Sequence, residues 1–467
     1  MEKQNNQSAK IDDNSAAVYD ARTLGVPKML LLGFQHMFAM FGATVLVPAL
    51  TGLSVSATLL FAGLGTLLFH LITKRKVPAF LGSSFAFLGA YGAVVGMEEA
   101  AKVSNPLVYA CVGVFCAGLL YLLMALLFKV FGSERVLRFF PPIVTGPLII
   151  AIGLSLSGSA VGNCSANWGI ALFAILVVIL CNVFGKGMIR IIPILIGIVG
   201  GFALTGGLTL LSDTTVEVNG QHFYTLLGND NMRLFCVEAL DNIRTAPWIG
   251  LPVRFDDTVF SLFTAKDFNG TLLLSAIITV VPIALATILE HIGDISAISS
   301  TVDRKFIEDP GLHRTLIGDG LATSLAALFG APANTTYGEN TGVLSLSRVY
   351  DPRVIRLAAA FAIAFSFSPK FAAVIGAIPP AVLGGISLVL YGMISAIGVR
   401  NVVENKIDFS NIRNVIIAAM ILVLAIGITY GTADGFIPIG PIHLTGLATG
   451  ALAGILLNAI LPSGQSS

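Results

Sequence analysis

The stretch Pro332-Ala333-Asn334-Thr335-Thr336-Tyr337-Gly338-Glu339-Asn340 places polar residues between two apolar stretches, 315–332 and 353–377. A second carboxylate, Glu290, closes the apolar run Leu272–Leu289. An ionisable side chain at membrane depth is costly, so it usually faces a cavity, a partner or a substrate. Two such carboxylates beside segments broken by glycine and proline are typical of the binding site of a secondary transporter.

The composition of the chain indicates a membrane protein. Hydrophobic residues make up 55% of the 467 residues, charged residues only 11%, and the mean hydropathy is +0.87. The apolar runs have the length of helices and do not alternate as the strands of a membrane barrel do. A net charge of +1 gives no indication of a nucleic-acid partner. We therefore expect an all-α, multi-pass protein embedded in the lipid bilayer.

About fourteen segments are candidate membrane spans. Those at 79–97 and 336–347 are short or interrupted for a hydrocarbon core of about 30 Å, so we expect broken helices and short strands in spans 3 and 10. The approximate limits are 29–50, 54–73, 79–97, 107–129, 137–157, 168–185, 189–211, 271–292, 314–330, 336–347, 354–377, 380–398, 410–430 and 440–461.

Lysine and arginine concentrate in alternate loops, for example in Lys74-Arg75-Lys76, and Lys370 is the visible exception. The positive-inside rule then predicts that both termini are cytoplasmic, in the cell (inner or plasma) membrane. Residues 1–26 are polar and lack the apolar core of a signal peptide, which favours a cytoplasmic tail. The long loop 213–269 falls on the outer side, where we expect a small ordered cap without assignable chemistry.

Two of the five cysteines, Cys164 and Cys236, also fall on the outer side. They are able to form a disulfide if that face is oxidising, but the pairing cannot be deduced from sequence. The other three lie in apolar spans and are expected to be packing residues.

The two halves of the chain repeat one another. Three matched pairs of segments occur in the same order, at offsets of 255, 254 and 238 residues. The pairs are Gln35-His36-Met37-Phe38-Ala39 with Glu290-His291-Ile292-Gly293-Asp294, Pro78-Ala79-Phe80-Leu81-Gly82-Ser83-Ser84-Phe85 with Pro332-Ala333-Asn334-Thr335-Thr336-Tyr337-Gly338-Glu339, and Pro141-Pro142-Ile143-Val144-Thr145-Gly146 with Pro379-Pro380-Ala381-Val382-Leu383-Gly384.

Seven spans per half is an odd number, so the second half must cross the membrane upside down relative to the first. This is a 7+7 inverted repeat, with a site near the midplane where broken helices meet. We expect the breaks at 78–88 and 331–341. An extended segment that enters a half-helix leaves free N–H groups and a positive dipole end, which suit carbonyl oxygens or anionic groups.

The acids of this site suit proton coupling. Glu290 and Asp294 are four residues apart and share a helix face, where two buried carboxylates repel unless one holds a proton. The alternative is that Asp294 lies past the apolar core and caps a short helix from Ser296. Asp319, in Gly318-Asp319-Gly320, either caps the next helix or lines the site. His291 and its repeat mate His36 are expected to be satisfied, buried histidines.

A protonated carboxylic acid presents a donor beside an acceptor, which matches the N–H and C=O of a cyclic imide such as uracil. On this hypothesis, the substrate binds only when Glu290 or Glu339 is protonated. The movement of the proton is then coupled to the movement of the substrate. Phe85, the repeat mate of Glu339, either offers a ring face to a planar substrate or is an ordinary core residue. For Tyr391 a site position and a core position are equally open.

These residues resemble the nucleobase–cation symporter family that includes uracil and xanthine permeases. The likeness runs from about Gln35 to Leu461 and includes the signature Glu339-Asn340-Thr341-Gly342 followed by Arg348. It is strongest in Gln35-His36-Met37-Phe38-Ala39-Met40-Phe41-Gly42-Ala43-Thr44, Leu81-Gly82-Ser83-Ser84-Phe85-Ala86-Phe87, Glu290-His291-Ile292-Gly293 and Asn334-Thr335-Thr336-Tyr337-Gly338-Glu339-Asn340.

The resemblance implies a core domain (28–130 and 271–377) and a gate domain (131–212 and 378–462), beside a tail (1–27) and an extracytoplasmic loop (213–270). It also implies a homodimer, elevator-like alternation and no cofactor beyond the coupling ion, with Na⁺ left open beside H⁺. The implied uracil contacts are Ala43, Phe85, Glu290, Tyr337, Gly338, Glu339 and Tyr391, and the acids expected to couple protons are Glu290, Asp294 and Asp319.

The chain also departs from the uracil branch of that family. Uracil permeases often carry His where Asp294 stands, Gly318-Asp319-Gly320 is similar to the purine branch, and Ser347 replaces the usual Thr. The leading interpretation is a proton-driven uracil importer, with a xanthine or other purine permease second. An anion exchanger of the same fold would need a positively charged side chain at the position of Glu339, so the two acids argue against that interpretation. The sequence lacks the nucleophile–base set, metal cluster or phosphate loop of an enzyme, so we expect the protein to have no enzymatic activity.

Overall fold

The computed structural model describes residues 17–212, 214–226, 228–432, 435–439 and 442–462; of the predicted tail, residues 1–16 lie outside that description. The first half of the chain contains α1 (Val26–Thr51), α2 (Val55–Ile72), β1 (Leu81–Ser83), α3 (Leu88–Val95), α4 (Pro106–Phe131), α5 (Ser133–Leu137), α6 (Pro142–Cys164), α7 (Trp168–Phe184), α8 (Met188–Ile191) and α9 (Pro193–Thr209). The long loop contains β2 (Thr214–Val218), β3 (Gln221–Thr225), β4 (Arg233–Cys236) and α10 (Val237–Thr245).

The second half repeats this order with two differences. It contains α11 (Gly270–Val280), α12 (Ile283–Val302), α13 (Leu312–Leu328), β5 (Asn334–Thr336), α14 (Gly338–Ser347), α15 (Pro352–Ser366), α16 (Pro369–Gly376), α17 (Pro380–Glu404), α18 (Ile412–Gly431), β6 (Phe436–Ile439), β7 (Ile442–Thr445) and α19 (Gly446–Ile460). Helices α11 and α12 replace the single helix α1, and strands β6 and β7 stand where the first half has α8.

Long apolar helices dominate the structure. Within the described residues, seven helical stretches are long and apolar enough to cross a membrane, with α11 and α12 counted as one. An eighth is added if α15 and α16, which meet at an angle of 89°, form one broken span. The polytopic, mostly helical class is therefore confirmed, while the total of fourteen spans stays a prediction.

Proline defines where many of these helices begin. Within the described residues, seven helices carry proline at the first or second position: α1, α4, α6, α9, α15, α16 and α17. At that position the missing N–H would have had no partner in the helix, and the fixed φ angle suits a helix start. The Pro-Pro pairs that marked the repeat are thus the starts of the matched helices α6 and α17.

Helix contacts in this structure occur in matched pairs: replacing each helix by its repeat mate in the other half gives another observed contact. The contact of α2 with α15 has its counterpart in α13 with α4, and that of α7 with α17 in α18 with α6. Likewise α7 packs on α9 as α18 packs on α19. This exchange is what an internal duplication predicts.

The matched helices α6 and α17 pack against each other along their whole length. A Cβ added at Gly153 would lie 2.2 Å from the carbonyl oxygen of Tyr391. One added at Gly398 would lie 2.7 Å from the carbonyl oxygen of Gly146, and one at Gly384 would lie 2.5 Å from the nitrogen of Cys164. Glycine at these positions lets the two backbones touch.

The predicted breaks meet in a short antiparallel ribbon. β1 pairs with β5 in the register Leu81↔Thr336, Gly82↔Thr335 and Ser83↔Asn334. Each strand then leads into helical structure, a 3₁₀ turn at Phe85–Phe87 and α3 after β1, and α14 after β5. The ribbon joins the two halves at the centre of the hydrophobic core.

Two β elements outside this ribbon correct the all-α prediction. β2, β3 and β4 form one sheet in the loop predicted to be an ordered cap, and β6 pairs with β7. The span predicted at 440–461 is wrong at its start, because residues 442–445 are strand and the helix begins at Gly446. Cys164 and Cys236 are free thiols, so the disulfide alternative is not realised.

Candidate substrate and proton-coupling site

Helix α12 carries two of the predicted acids on one continuous helix. It runs from Ile283 to Val302, and the next residue, Asp303, terminates it with a left-handed φ of 55°. Glu290 and Asp294 are therefore one turn apart in its interior, and both are partly exposed. The alternative in which Asp294 caps a helix from Ser296 is wrong.

A chain of polar contacts extends from Asp294 into the core. The Thr336 hydroxyl of β5 donates to Oδ2 of Asp294 at 2.8 Å and lies 3.4 Å from Nδ1 of His291. The same Nδ1 lies 3.0 Å from Oδ2 of Asp319, and both of these side chains are fully buried. Nδ1 of His291 thus connects α12, β5 and α13. Among the described residues, however, Nε2 of His291 and Nε2 of His36 are buried without a hydrogen-bond partner, so the prediction of two satisfied histidines is wrong.

Asp319 lies in the middle of α13 and not at its start. The helix begins seven residues earlier, after Gly311, so the capping alternative is wrong. The glycines on either side allow close packing: a Cβ at Gly318 would lie 2.8 Å from Phe69, and one at Gly320 would lie 2.5 Å from Tyr121. Asp319 is consequently enclosed, whereas Asp294 is accessible.

Tyr337 closes the ribbon beside α1. Its hydroxyl donates to the carbonyl of Ser83 at 2.8 Å. A Cβ added at Gly82 would lie 2.6 Å from both the Tyr337 ring and Oγ1 of Thr44, so the ring fits only over glycine. Ala43, the neighbour of Thr44 on α1, is fully buried.

Glu339 sits in the first turn of α14, where a negative charge is favoured by the helix dipole. It is partly exposed, and a Cβ at Gly338 or Gly342 would meet no atom within 4 Å, so this face of the helix is open. The next residue, Asn340, donates to the carbonyl of His36 at 3.2 Å, which ties α14 to α1.

The predicted carboxylates form one electrostatic cluster. Glu290 and Asp294 lie one turn apart on α12, and Asp294 is joined to Asp319 through Thr336 and His291. Glu339 follows Thr336 by three residues, at the start of α14. Tyr337 is close to both Glu290 and Glu339. Among the salt bridges of the described residues, none involves Glu290, Asp294 or Glu339, so these acids have neighbours of their own sign.

Phe85 and Tyr391 form the aromatic part of the site. Their rings are 5.9 Å apart at 73°, an edge-to-face contact between the turn after β1 and α17. Both are buried, and the Phe85–Phe87 turn packs against α12. The structure thus places Phe85 next to the helix of Glu290, and Tyr391 next to Phe85.

Two cavities of about 360 and 380 Å³ lie along α3, and none of the predicted site residues lines either of them. Gly89 and Gly92 of α3 and Ser155 and Leu156 of α6 line both. The sequence-based prediction missed these residues, although the spacing of small residues along α3 was visible. It also missed Thr336, whose partners lie over 40 residues away in the chain.

A comparison with protein families matches residues 27–433 to the xanthine/uracil permease model, described as a permease family. The chain belongs to this permease family. The resemblance inferred from the motifs is therefore confirmed, and the permease is an integral membrane transport protein.

Curated relatives match the permease over nearly its full length. Uracil permease of Bacillus caldolyticus is 39% identical over 457 residues, which are 95% of this chain and 94% of that protein. Uracil permease of Escherichia coli K12 is 36% identical and covers 92% of this chain and 90% of its own. The putative pyrimidine permease RutG of the same strain is also 36% identical, with 96% and 92% covered.

Solved structures of low sequence identity share the fold of the permease. The anion-transporter family member SLC26A9 superposes with a TM-score of 0.59 at 12% identity, over 95% of this chain and 66% of that one. The transmembrane domain of the cyanobacterial bicarbonate transporter BicA gives 0.52 at 14% identity, over 83% and 97%. At these identities the likeness shows the fold alone.

Proposed function

We propose that the permease imports uracil across the cell membrane together with protons. The observation that carries the proposal is the placement of four acids around β5 and the start of α14: Glu290 and Asp294 one turn apart on α12, Asp319 joined to Asp294 through His291 and Thr336, and Glu339 three residues after Thr336. Among the described residues, no salt bridge involves Glu290, Asp294 or Glu339. Carboxylates that share one site are expected to hold at least one proton. The names of the curated relatives, uracil and pyrimidine permeases, supply the substrate class.

In this proposal the proton and the substrate bind together. Protonated Glu290 or Glu339 offers a donor beside an acceptor to the imide edge of uracil, and an ionised acid would lose the donor. The N–H groups at the start of α14, beside Gly338, suit a uracil carbonyl oxygen. Phe85 supplies a ring face, Tyr391 supports it, and Tyr337 and Ala43 close the site. Asp294 exchanges protons with Glu290.

The same proposal assigns movement to two domains. The core comprises 28–130 and 271–377, the gate 131–212 and 378–462, and the site lies between Phe85 of the first and Tyr391 of the second. Alternating access of core against gate then exposes the site to either side. Both termini are cytoplasmic, the loop 213–270 is outside, and two copies form a homodimer, which light scattering of the purified protein tests.

A xanthine or other purine is the second candidate substrate. Asp294 itself favours it, because the family resemblance implies Asp at this position in the purine branch and often His in the uracil branch. The experiment is uptake of labelled uracil into proteoliposomes with an inward proton gradient, with unlabelled xanthine as competitor and Na⁺ varied independently.

We expect accumulation that collapses with a protonophore, ignores Na⁺ and ignores xanthine. Glu290→Gln keeps the ability to donate and accept hydrogen bonds, so it should retain uracil binding while uptake loses pH dependence. Gradient-driven uptake of xanthine without uracil would refute the uracil assignment. Uracil uptake that follows the Na⁺ gradient would refute proton coupling.

A further inference from the structure

The residues that precede α1 form a strap across one end of the bundle. This N-terminal strap, Val18–Arg22, pairs in parallel with the chain that follows α14. The N–H of Val18 donates to the carbonyl of Arg348 at 2.8 Å, and the N–H of Tyr350 donates to the carbonyl of Val18 at 2.8 Å. The strap is therefore attached directly to the exit of the helix that carries Glu339.

Tyr19 extends from the strap to a second helix. Its hydroxyl donates to the carbonyl of Val302, the last residue of α12, at 3.0 Å. The ring of Tyr350 lies 5.5 Å from the Tyr19 ring, and the Arg304 guanidinium lies 4.8 Å from its centroid. One side chain thus contacts both the end of α12 and the segment after α14.

Further polar contacts hold the strap in place. The N–H of Ala21 donates to Oδ2 of Asp351 at 2.8 Å, and Ala21 is fully buried. Arg353 lies 2.9 Å from both Asp20 and Asp351, while Asp351 also caps α15 by accepting from the N–H of Arg353. Several such contacts on one short segment hold it against a folded surface, whereas a single exposed ion pair contributes little.

We propose that Tyr19 is a positioning residue for the acid cluster, a role that rests on the proposed function. The helix α12 carries Glu290 twelve residues before Val302, about 18 Å along the axis. The helix α14 carries Glu339 and ends at Ser347, beside the strap. The contacts of Tyr19 join the ends of α12 and α14 and so fix the position of one helix relative to the other. They thereby fix the spacing of Glu290 and Glu339, the two carboxylates that are proposed to bind one substrate.

The tether itself is tested by a distance that needs no substrate. Spin labels at positions 300 and 346, both exposed, report the separation of α12 and α14 in full-length protein whose five cysteines are replaced. We expect one narrow distance distribution in the native background and a broader one in Tyr19→Ala. An unchanged distribution in Tyr19→Ala would overturn the tether.

The positioning role is tested by equilibrium binding of labelled uracil. Tyr19→Phe keeps the ring and removes only the hydroxyl, so we expect uracil affinity to fall about three- to tenfold with an unchanged thermal unfolding midpoint. Tyr350→Phe is the matched control, because no hydrogen bond to its hydroxyl is present among the described residues. A broadened distance distribution with unchanged uracil affinity in folded Tyr19 variants would overturn the role.

The two failures are separable. If the native protein binds no uracil, the proposed function fails while the distance measurement still decides whether the strap tethers α12 to α14. If the native protein binds uracil and the Tyr19 variants bind it equally well, the positioning role alone fails.

Discussion

The two broken segments of this permease, Leu81–Val95 and Asn334–Ser347, share a backbone plan and differ in chemistry. Each is a three-residue strand followed by helical turns, and the strands pair with each other. The first presents Phe85 and the glycines of α3, whereas the second presents Glu339 at the equivalent position. In the proposed site, the two segments would share one backbone plan, while their side chains would divide the tasks of stacking and hydrogen bonding.

The largest expected effect separates these two tasks. Glu339→Ala should weaken uracil binding about 30-fold, because it removes two hydrogen bonds between neutral groups, each worth about 0.5–1.5 kcal/mol. Phe85→Ala should weaken it about tenfold, in line with about 1–3 kcal/mol for stacking of a base on an aromatic ring. Equilibrium binding to purified protein measures both.

Exposed Glu308→Ala is the control for loss of a negative charge elsewhere and should bind normally. Equal losses in the two site variants would contradict the division of tasks between the segments.

The next effect compares two glycines of the first segment. Gly82→Ala should lower the free energy of unfolding by about 1–3 kcal/mol, because its Cβ would collide with Tyr337 and Thr44 across the ribbon. Gly89→Ala meets no atom within 4 Å and should change it by less than about 0.5 kcal/mol. Chemical unfolding in detergent measures the free energy of unfolding of both variants. Similar decreases in the two would show that the ribbon at Gly82 is no more closely packed than α3 at Gly89.

A smaller effect concerns the hydrogen bond between repeat mates. Tyr337 donates to the carbonyl of Ser83, its own mate at the offset of 254, at 2.8 Å. Tyr337→Phe should cost about 0.5–1.5 kcal/mol of stability, the usual net value of one such bond. Ser83→Ala removes the hydroxyl that donates to Thr44 but keeps the carbonyl, so it should leave the Tyr337 contact intact. Hydrogen exchange at the ribbon distinguishes the two variants.

The smallest expected effect on stability concerns an ion pair in the long loop. Because the loop has no counterpart in the other half, it gives a reference for an effect unrelated to the repeat. His222 and Glu238 are exposed and 2.8 Å apart. This contact raises the pKa of His222 and, together with the Cys236 thiol, lowers the pKa of Glu238 to about 2. The His222 contribution to stability is complete below pH 6.5 and fades as the pH rises through the raised pKa. The Glu238 contribution is complete above pH 4.5 and fades towards pH 2.

The ion pair therefore makes its full contribution to stability between about pH 4.5 and 6.5. Titration of the His222 ring by NMR should show its pKa falling in Glu238→Gln. An unaltered titration would mean that the pair does not form in solution.

The sequence predicted the parts of the site that depend on local pattern. Glu290 and Glu339 stand out because charge is rare in apolar segments, and the repeat is visible because Pro-Pro pairs and Gly-rich breaks recur in register. The contacts of Thr336 with Asp294 and His291 were not predictable, because they join residues over 40 positions apart. Strand β7 falls inside the predicted span 440–461, because it leads directly into the apolar helix α19.

Asp319 shows how far local pattern extends. Gly318 and Gly320 marked it as unusual, but only the packing of α13 on Phe69 and Tyr121 shows that it is enclosed while Asp294 is accessible. The strap was not predicted either, because a short polar segment before the first apolar helix carries no periodic signal.

The glycine contacts between α6 and α17 have a mechanical consequence. Backbones that touch at Gly153, Gly384 and Gly398 leave no layer of side chains to slide upon, so a relative shift of one turn would drive large residues into the partner backbone. The two helices therefore behave as one stiff beam. Under the proposed alternating access, such a beam would be the fixed frame, and the ribbon and the acids on the other side of the site would be the parts that move.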